Sequence, residues 1–334
     1  MLRIIFSFCL CLITSYAVAD TSAVVIGYAN NDAFWSYPKI QQYLDGARNA
    51  KISIKHYQSG CELLAAMKAG EVDLAYADVP MLYQVQLQSL PYEPVATEVT
   101  RAQNNQGRVT YTSLLVTSTA SSIVSVRGVA GKTVGIVPWT LSGEAIPELL
   151  LQQVGLLPAQ GKSTISRYKQ VVFNSFDDAK QALADGTVDV VGYPSLYKLD
   201  PQKYGVIAAL KDIPNPALVG ASDRLSSAAM QESIALLKTI PTQSQYPGLG
   251  NTMRFASVQS TPYVYWAKQL SQSGLFSNDS CETSAESSQV NTEDNPVPDD
   301  AQATQEGQQE PLEEQPKDNS DPSMDDSLSS SVQQ

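Results

Sequence analysis

The stretch KTVGIVPWTLSGEAIPELLLQQVG, residues 132–155, predicts a strand, a loop and a helix in direct succession. The strand, Thr133–Val137, carries the closely spaced aliphatic side chains that are typical of a strand covered on both faces. The helix, Glu144–Val154, has its apolar residues at helical spacing. The loop between them, Pro138–Gly143, is polar, so the stretch predicts one buried strand–loop–helix unit of an α/β fold.

The loop of this unit places two hydroxyls, those of Thr140 and Ser142, where the helix opens. A helix start presents unpaired N–H groups and a partial positive charge, so it can hold an anion or an oxygen-rich ligand. Glu144 lies in the first turn, and we expect it to compete with an anionic guest for those amides. Taken alone, the pattern is more typical of an ordinary Ser or Thr helix cap. The ligand-binding interpretation therefore depends on the rest of the chain.

Two other segments resemble each other, LAAMKAGEVDLAYADVPMLY at 64–83 and AKQALADGTVDVVGYPSLY at 179–197. Both contain a helical run, a Gly, Val-Asp, two apolar residues and a loop with Pro-x-Leu-Tyr. Each follows a capping-box-like start, at 59–62 and at 175–178. Chance similarity is the alternative, but the shared Val-Asp and Pro-x-Leu-Tyr favour one α/β unit that is used once in each of two lobes.

The order of predicted elements completes this architecture. Strands alternate with helices, and the chain crosses to a second lobe and returns, which predicts lobe 1 at 20–116 and 213–277 and lobe 2 at 117–212. In open α/β sheets, ligands collect at the carboxyl ends of the strands. In two lobes those ends face a shared cleft, which hinge motion can close.

The formal net charge of −12 is unevenly distributed along the 334 residues. Residues 278–334 hold 15 Asp and Glu with one Lys, whereas residues 1–277 hold 19 acidic and 21 basic side chains. The segment 278–334 has no aromatic residue and few aliphatic ones, so we predict a disordered acidic tail. A solubilising role is the simpler interpretation, and a basic or divalent-cation partner is the alternative. Neither part has the basic field of a nucleic-acid-binding protein.

The first residues have the composition of an export signal. Arg3 precedes an apolar run at 4–13, and the small-x-small sequence at 17–19 precedes Asp20. The run is too short to span a bilayer. We therefore expect residues 1–19 to be a signal peptide that is cleaved after Ala19, and a protein in the periplasm with no stable membrane insertion.

Cleavage leaves two cysteines, Cys61 and Cys281. In an oxidising compartment they are candidates for a disulfide, and two unpaired thiols are the alternative. Neither these cysteines nor the single His56 have the spacing of metal ligands, so we expect no metal site. We also expect no cofactor.

A family resemblance covers roughly residues 22–240. The segments that carry it are GEVDLAY, YTSLLV, VRGVAGKTVG, PWTLSGEAIP, VVFNSFDDAKQALADGTVDVVGY and IPNPALV. In these the chain resembles the phosphate/phosphite/phosphonate-binding proteins of ABC importers, the PhnD-like branch of periplasmic binding proteins. The resemblance implies a two-lobed periplasmic-binding-protein-like fold with two hinge crossovers. It also implies that Thr140 and Ser142 bind an oxyanion, with Leu141 contributing its backbone N–H.

The chain departs from the family pattern at several positions. Leu141 stands where a hydroxyl residue is common, and Glu144 stands where an aromatic residue is common. Phe176 replaces the histidine of the second-lobe helix start, and Asp78 precedes Val79-Pro80 where Gly-Pro is frequent. Each change weakens the case for a phosphonate. A ligand with amine or hydroxyl groups, contacted by carboxylates and aromatic rings, is the alternative.

The sequence therefore predicts a monomeric periplasmic solute-binding protein that captures a small polar ligand, such as a phosphate- or phosphonate-like oxyanion, for an inner-membrane ABC permease. The alternative is a periplasmic sensor or interaction protein that keeps the fold without transport. We do not expect an enzyme, because no nucleophile–base pair or metal cluster is visible. The predicted ligand-binding residues are Tyr28, Trp35, Ser59, Tyr76, Asp78, Trp139, Thr140, Leu141, Ser142 and Ser175.

Overall fold

The structure is a computed structural model that describes residues 23–29, 34–48, 50–101, 106–158, 167–240, 252–276 and 281. The predictions of an export signal and, apart from Cys281, of an acidic tail concern residues outside these ranges. All the described residues belong to one compact unit. That unit contains two mixed β-sheets with helices packed on them, which is the predicted α/β class.

The helices and strands follow the chain in alternation. In order they are β1 (Ala23–Ala29), α1 (Pro38–Leu44), β2 (Lys51–Tyr57), α2 (Gly60–Lys68), β3 (Leu74–Ala77), α3 (Val79–Leu87), β4 (Tyr92–Arg101), β5 (Gly107–Arg108), β6 (Thr110–Ser118), β7 (Thr133–Ile136), α4 (Ile146–Gln153), β8 (Lys169–Val172), α5 (Phe176–Ala184), β9 (Val190–Pro194), β10 (Tyr204–Pro214), β11 (Ala217–Ala221), α6 (Ala228–Lys238), β12 (Thr252–Ser257) and α7 (Ser260–Ser273). A 3₁₀ turn at Val126–Val129 precedes β7, and a π-helical turn at Leu141–Ala145 precedes α4.

The two sheets have matching cores. The first sheet has the order β12-β4-β11-β3-β1-β2, with β5 beside β4, and the second has the order β10-β6-β9-β7-β8. In the first, β1 lies parallel between β2 and β3, and β11 runs antiparallel to β3. In the second, β7 lies parallel between β8 and β9, and β6 runs antiparallel to β9. The same strand arrangement is therefore built twice.

The two Val-Asp pairs of the sequence repeat have the same structural role. Asp73 accepts a hydrogen bond from the N–H of Val25 at 2.7 Å, and Asp189 accepts one from the N–H of Thr133 at 2.8 Å. Each aspartate precedes the strand of its unit, β3 or β9, and ties it to the neighbouring parallel strand, β1 or β7. Asp73 is buried and also forms an ion pair with Arg224. This equivalence supports one α/β unit used once in each half.

An apolar cluster joins the two halves. It contains the buried side chains of Leu141, Ala145 and Ile146 from the second half, and it continues into α2, α3 and α7. The π-helical turn and α3 therefore contribute to one apolar cluster. One side of the strand–loop–helix unit is therefore packed into the interior, whereas its other side faces the cavity described below.

The chain crosses between the sheets twice, at the start of β6 and at the end of β10. The two crossing strands pair with each other, with Tyr111 opposite Ile213 and Thr110 opposite Pro214. The register of this pair shifts between Leu210 and Ile213, where Asp212 has a positive φ of 59°. The two crossings therefore form one antiparallel ribbon, as expected for two halves joined by paired hinge segments.

Some elements are not predicted by the sequence pattern. The helix α3 is buried on most of its surface, so it lacks the polar face that makes a helix recognisable. The strand β4 buries Thr97, Glu98 and Thr100, so it lacks an apolar run. The strand β12 is also missed. Most of the other boundaries differ by one to four residues from the predicted ones, which is common at helix and strand ends.

Candidate functional site

A cavity of about 170 Å³ lies between the two sheets. Both copies of the repeated loop line it, the first through Asp78 and Met81 and the second through Pro194, Leu196 and Tyr197. The start of α5 and the loop after β7 complete the wall. The other lining residues are Ala29, Phe34, Leu63, Tyr76, Ala77, Glu98, Thr100, Tyr111, Val137, Trp139, Thr140, Ser142, Asn174, Ser175, Phe176, Asp177, Pro216 and Thr252.

The loop after β7 enters its helix through a π-helical turn, earlier than the sequence predicts. The predicted loop ends at Gly143, but the turn already begins at Leu141. Thr140 caps it, because its hydroxyl accepts from the N–H of Gly143 at 3.0 Å and donates to the carbonyl of Val137 at 2.7 Å. Turns of this type are rare and occur frequently at functional sites. The hydroxyl of Thr140 is therefore engaged within the turn.

Two carboxylates hold the amides at this helix start. Glu144 accepts a hydrogen bond from the N–H of Trp139 at 2.7 Å, which is the competition that its position in the first turn predicts. Asp78, from the other half of the molecule, accepts one from the N–H of Leu141 at 2.7 Å. The second oxygen of Asp78 accepts from the N–H of Val79, also at 2.7 Å. Of the donors that the family resemblance assigns to an oxyanion, the Leu141 N–H is thus bound by an acid of the protein itself.

The third predicted donor, Ser142, faces a tyrosine. The hydroxyls of Ser142 and Tyr111 lie 3.1 Å apart, and both side chains are buried. Burial raises the pKa of Tyr111 well above its usual range, and the charge of Asp78 adds to this effect. Tyr111 therefore stays protonated and can donate or accept a hydrogen bond in the cavity wall.

Trp139 closes the cavity against the first half. Its backbone has a positive φ of 63°, which is costly for a bulky residue and needs support from its surroundings. Glu144 supplies part of that support through the Trp139 N–H. Gly60, at the start of α2, leaves the space in which the indole ring packs, since a Cβ at this position would lie 2.3 Å from the ring. Only a glycine lets the ring lie over the start of α2.

Burial raises the pKa of the acids around the helix start. It raises the pKa of Asp78 to about 6, although the two amide hydrogen bonds act in the opposite direction. It raises the pKa of Glu144 to about 7, against the opposing hydrogen bond from Trp139. The pKa of Glu148, one turn further on, is also raised, first by burial and then by the charge of Glu144. An ionised acid here lacks the solvation it has in water.

Replacement of Glu144 by glutamine is expected to stabilise the protein at pH 8 by about 1–3 kcal/mol. A carboxyl whose pKa is raised on folding contributes most to stability below its unfolded pKa of about 4.5, and that contribution is lost as the pH rises through about 7. Glutamine keeps an acceptor for the Trp139 N–H but does not ionise. Thermal unfolding from pH 5 to pH 8 measures the difference, which should grow with pH.

Glu144→Ala is the control for this measurement. It removes the charge together with the hydrogen bond to Trp139, so it should gain less stability at pH 8 than Glu144→Gln does. A difference between Glu144→Gln and the wild type that stays constant across the pH range would contradict the assignment of a raised pKa to Glu144.

The structure brings together six of the ten predicted ligand-binding residues. Tyr76, Asp78, Trp139, Thr140, Ser142 and Ser175 all line the cavity. Ser175 also caps α5, since its hydroxyl accepts from the N–H of Asp178 at 3.1 Å. The cavity therefore draws on both halves of the molecule, as predicted for an interlobe ligand.

The structure differs from the prediction at the other four positions. Leu141 is fully buried in the apolar cluster between the halves, and its N–H is bound by Asp78. Ser59 caps α2 through the N–H of Glu62, away from the cavity wall. Tyr28 and Trp35 are buried in the core of the first half, where their rings pack against each other. None of the four lines the cavity.

Several lining residues are missed by the sequence analysis. Glu98 lies on β4, and its carboxylate accepts hydrogen bonds from the hydroxyls of Tyr76, at 2.7 Å, and Thr252. Phe176 lies at the start of α5 where the family pattern has a histidine, so the family pattern marks this position as a candidate for ligand contact. Tyr111 opens the segment YTSLLV and Tyr197 ends the second Pro-x-Leu-Tyr loop, but neither motif predicted a ligand contact. Phe34 belongs to no motif.

The lining is acidic and aromatic. Its acids are Asp78, Glu98 and Asp177, and none of the described lining residues is Lys, Arg or His. Asp177 is exposed and pairs with Lys180 at 3.1 Å, so its charge is compensated locally. The partly buried Asp78 and the buried Glu98 both come from the first half. In the described ranges, no group of three or more His, Cys, Asp or Glu side chains is placed to share a metal ion.

A disulfide lies close to the cavity wall. It joins Cys61, in the first turn of α2, to Cys281, with the two Cα atoms 5.4 Å apart. Cys281 packs against the apolar cluster between the halves. The sequence left this pair open between a disulfide and two thiols, and the structure has the disulfide.

The fold and the cavity between its halves define a periplasmic binding protein, and solved structures share this fold. PhnD1 from Prochlorococcus marinus in complex with methylphosphonate has a TM-score of 0.60 and 13% identity, over 75% of this chain and 98% of that one. A Xanthomonas citri protein bound to ATP has a TM-score of 0.59 and 12% identity, over 77% and 99%. A binding protein component of an ABC phosphonate transporter from Pseudomonas aeruginosa has a TM-score of 0.58 and 14% identity, over 80% and 94%.

The chain belongs to the family described as ABC transporter, phosphonate, periplasmic substrate-binding protein, whose sequence pattern matches residues 29–275. This confirms the family resemblance and the two-lobed fold that it implies. Members of this family are the periplasmic components of importers that bind small ligands, so membership implies a periplasmic location and a permease partner. No curated protein matches the chain. None of the helices in the described ranges has the length and apolar content needed to cross a bilayer.

Proposed function

We propose that this chain captures a small molecule in the cavity between its two sheets and delivers it to an ABC permease in the inner membrane. The observation that carries the proposal is the cavity itself, which both copies of the repeated loop line together with the helix starts of α5 and the π-helical turn. A ligand held there touches both halves at once. It would therefore stabilise their closed arrangement, which is the form a permease can recognise.

The chemistry of the cavity suits binding rather than catalysis. The hydroxyl of Thr140 is engaged with the backbone, that of Ser142 with Tyr111, and those of Tyr76 and Thr252 with Glu98. The acids of the cavity accept hydrogen bonds from amides and hydroxyls. A phosphate or phosphonate at the helix start would have to displace Asp78 and Glu144 from the amides of Leu141 and Trp139. The arrangement therefore supports a ligand that leaves these contacts in place.

Ligand capture is tested with purified protein that has been unfolded and refolded to remove any co-purified compound. Calorimetry and thermal shift are measured against phosphate, phosphite, phosphonates and small amines. Leu196→Trp fills the cavity from the second half, and we expect it to abolish binding of any ligand found. Val124→Trp is the matched control, because Val124 is 85% exposed and lies outside the cavity lining.

Delivery is tested by uptake of that ligand into cells that lack the gene and carry either the wild type or Leu196→Trp. The wild type should restore uptake and the variant should not. If no compound gives saturable heat, or if binding persists in Leu196→Trp, capture in this cavity is refuted.

A periplasmic sensor or interaction protein is the second candidate, and one observation favours it. Three contacts already join the halves. They are the hydrogen bond from the Leu141 N–H to Asp78, the packing of the Trp139 ring on Gly60, and an apolar cluster. A protein held closed in this way needs no ligand to present its closed surface. In that case a ligand would bind without changing the radius of gyration in solution scattering, and deletion of the gene would leave uptake unchanged.

A further inference from the structure

We infer that the cavity selects a small organic cation, with its charge facing Asp78 and Glu98 and its apolar body against the aromatic rings. The inference rests on the proposed function, because it assigns a ligand class to the same cavity. Three independent features of the wall support it: the sign of its charge, its aromatic surface and the engagement of the donors at the π-helical turn.

The charge of the wall has one sign. Asp78 is partly buried and Glu98 is buried, and none of the described lining residues is Lys, Arg or His. The two carboxylate oxygens of Asp78 accept from the N–H groups of Val79 and Leu141, which are neutral donors. Glu98 accepts from two neutral hydroxyls. An anion would be repelled by both carboxylates in a medium where water does not screen them, whereas a cation would be attracted.

The aromatic rings form the rest of the surface. Tyr76 and Phe34 approach from the first half, and Trp139, Phe176 and Tyr197 approach from the second. The ring centroids of Phe176 and Tyr197 are 6.0 Å apart with their planes tilted, so they form one continuous wall. The faces of such rings attract ammonium groups, and several rings around one charge are the usual device for binding substituted amines. The faces of aromatic rings offer no comparable attraction to a hydrated anion.

The donors at the π-helical turn that could counter this preference are occupied. The N–H groups of Trp139 and Leu141 bind Glu144 and Asp78, and the hydroxyl of Thr140 donates to the carbonyl of Val137. The raised pKa of Asp78, about 6, is consistent with a partly buried carboxylate that has no cation beside it. A bound ammonium would supply that cation. The cavity volume of about 170 Å³ restricts the ligand to a small molecule.

The test compares ligands of matched shape and different charge by calorimetry on the full chain at pH 8. The cations are choline, trimethylamine, ethanolamine and 2-phenylethylamine. 3,3-Dimethyl-1-butanol is the neutral carbon isostere of choline, and methylphosphonate and phosphate are the anions. We expect at least one cation to bind, with an affinity at least tenfold higher than that of any anion. If choline is that cation, its affinity should exceed that of its neutral isostere by the same factor.

Variants locate the charge preference. Two separate variants, Asp78→Asn and Glu98→Gln, should each weaken binding of the cation at least tenfold. If circular dichroism shows that Asp78→Asn is unfolded, Glu98→Gln still tests the inference. Glu71→Gln is the matched control, because Glu71 is exposed, pairs with Lys55 and lies outside the lining. It should bind the cation as the wild type does.

The outcomes separate the two proposals. Binding of an anion with no binding of any cation overturns the cation preference and leaves capture in the cavity intact. Unchanged cation affinity in both acid variants also overturns it. If neither cations nor anions nor the neutral alcohol bind, the preference and the proposed function both fail.

Discussion

Removal of the disulfide between Cys61 and Cys281 is expected to lower the free energy of unfolding by about 3–5 kcal/mol. The bond joins residues separated by 220 positions, so it excludes a large set of conformations from the unfolded chain. The loop-entropy relation gives about 5 kcal/mol for a loop of this length, which is an upper value. Guanidinium unfolding of the wild type, oxidised and reduced, and of the double variant Cys61→Ser, Cys281→Ser measures the effect.

The double variant also serves as its own control. Because it has no disulfide, dithiothreitol should not change its unfolding midpoint, whereas the midpoint of the wild type should fall to nearly the same value. Equal midpoints for the oxidised and the reduced wild type would show that this disulfide does not contribute to the stability of the fold.

Replacement of Leu141 by alanine is the second large effect, with an expected loss of about 2–5 kcal/mol. Leu141 is fully buried, and its neighbours in the apolar cluster include Met81 of α3 and Tyr263 of α7. The substitution therefore opens a cavity between the two halves rather than inside one of them. We expect calorimetry to show two separate unfolding transitions, because the contact that couples the halves has been weakened.

Leu151→Ala is the matched control for this prediction. Leu151 is also fully buried, but it packs in the core of the second half, with Val134 and Ile136. The same loss of side-chain volume should destabilise that half without separating the transitions. If both variants unfold in a single transition of similar width, Leu141 does not couple the halves.

The fold could be predicted in outline because its signals are local and occur twice. Val-Asp at 72–73 and at 188–189 follows a helix and a Gly in each half, and in both places the aspartate bonds to the strand that lies parallel to its own, β1 or β7. A sequence pattern that occurs twice predicts a structural unit with far less ambiguity than a pattern that occurs once. The elements that escaped prediction, α3 and β4, are buried on faces that the usual periodicity leaves polar.

The candidate site was predicted less completely, for a different physical reason. Trp139, Thr140 and Ser142 belong to one local motif, so their approach to the cavity could be expected. The contact from Asp78 to the Leu141 N–H joins residues that are 63 positions apart, and nothing in either segment alone reveals it. Glu98 lies on a strand with no apolar signature. Tyr28 and Trp35 show the opposite error, because aromatic residues near a loop can equally well fill a core.

The ribbon formed by β6 and β10 determines how the two halves can separate. Both chain crossings lie side by side in it, and Asn215 fixes its end by bonding to the carbonyls of Glu98 and Arg108. A paired ribbon bends across its face without losing hydrogen bonds, whereas sliding of one strand past the other would break the ladder. The two halves are therefore connected along one shared edge, the ribbon itself. If a ligand is captured in the cavity as proposed, it would enter and leave at the edge that faces away from this ribbon.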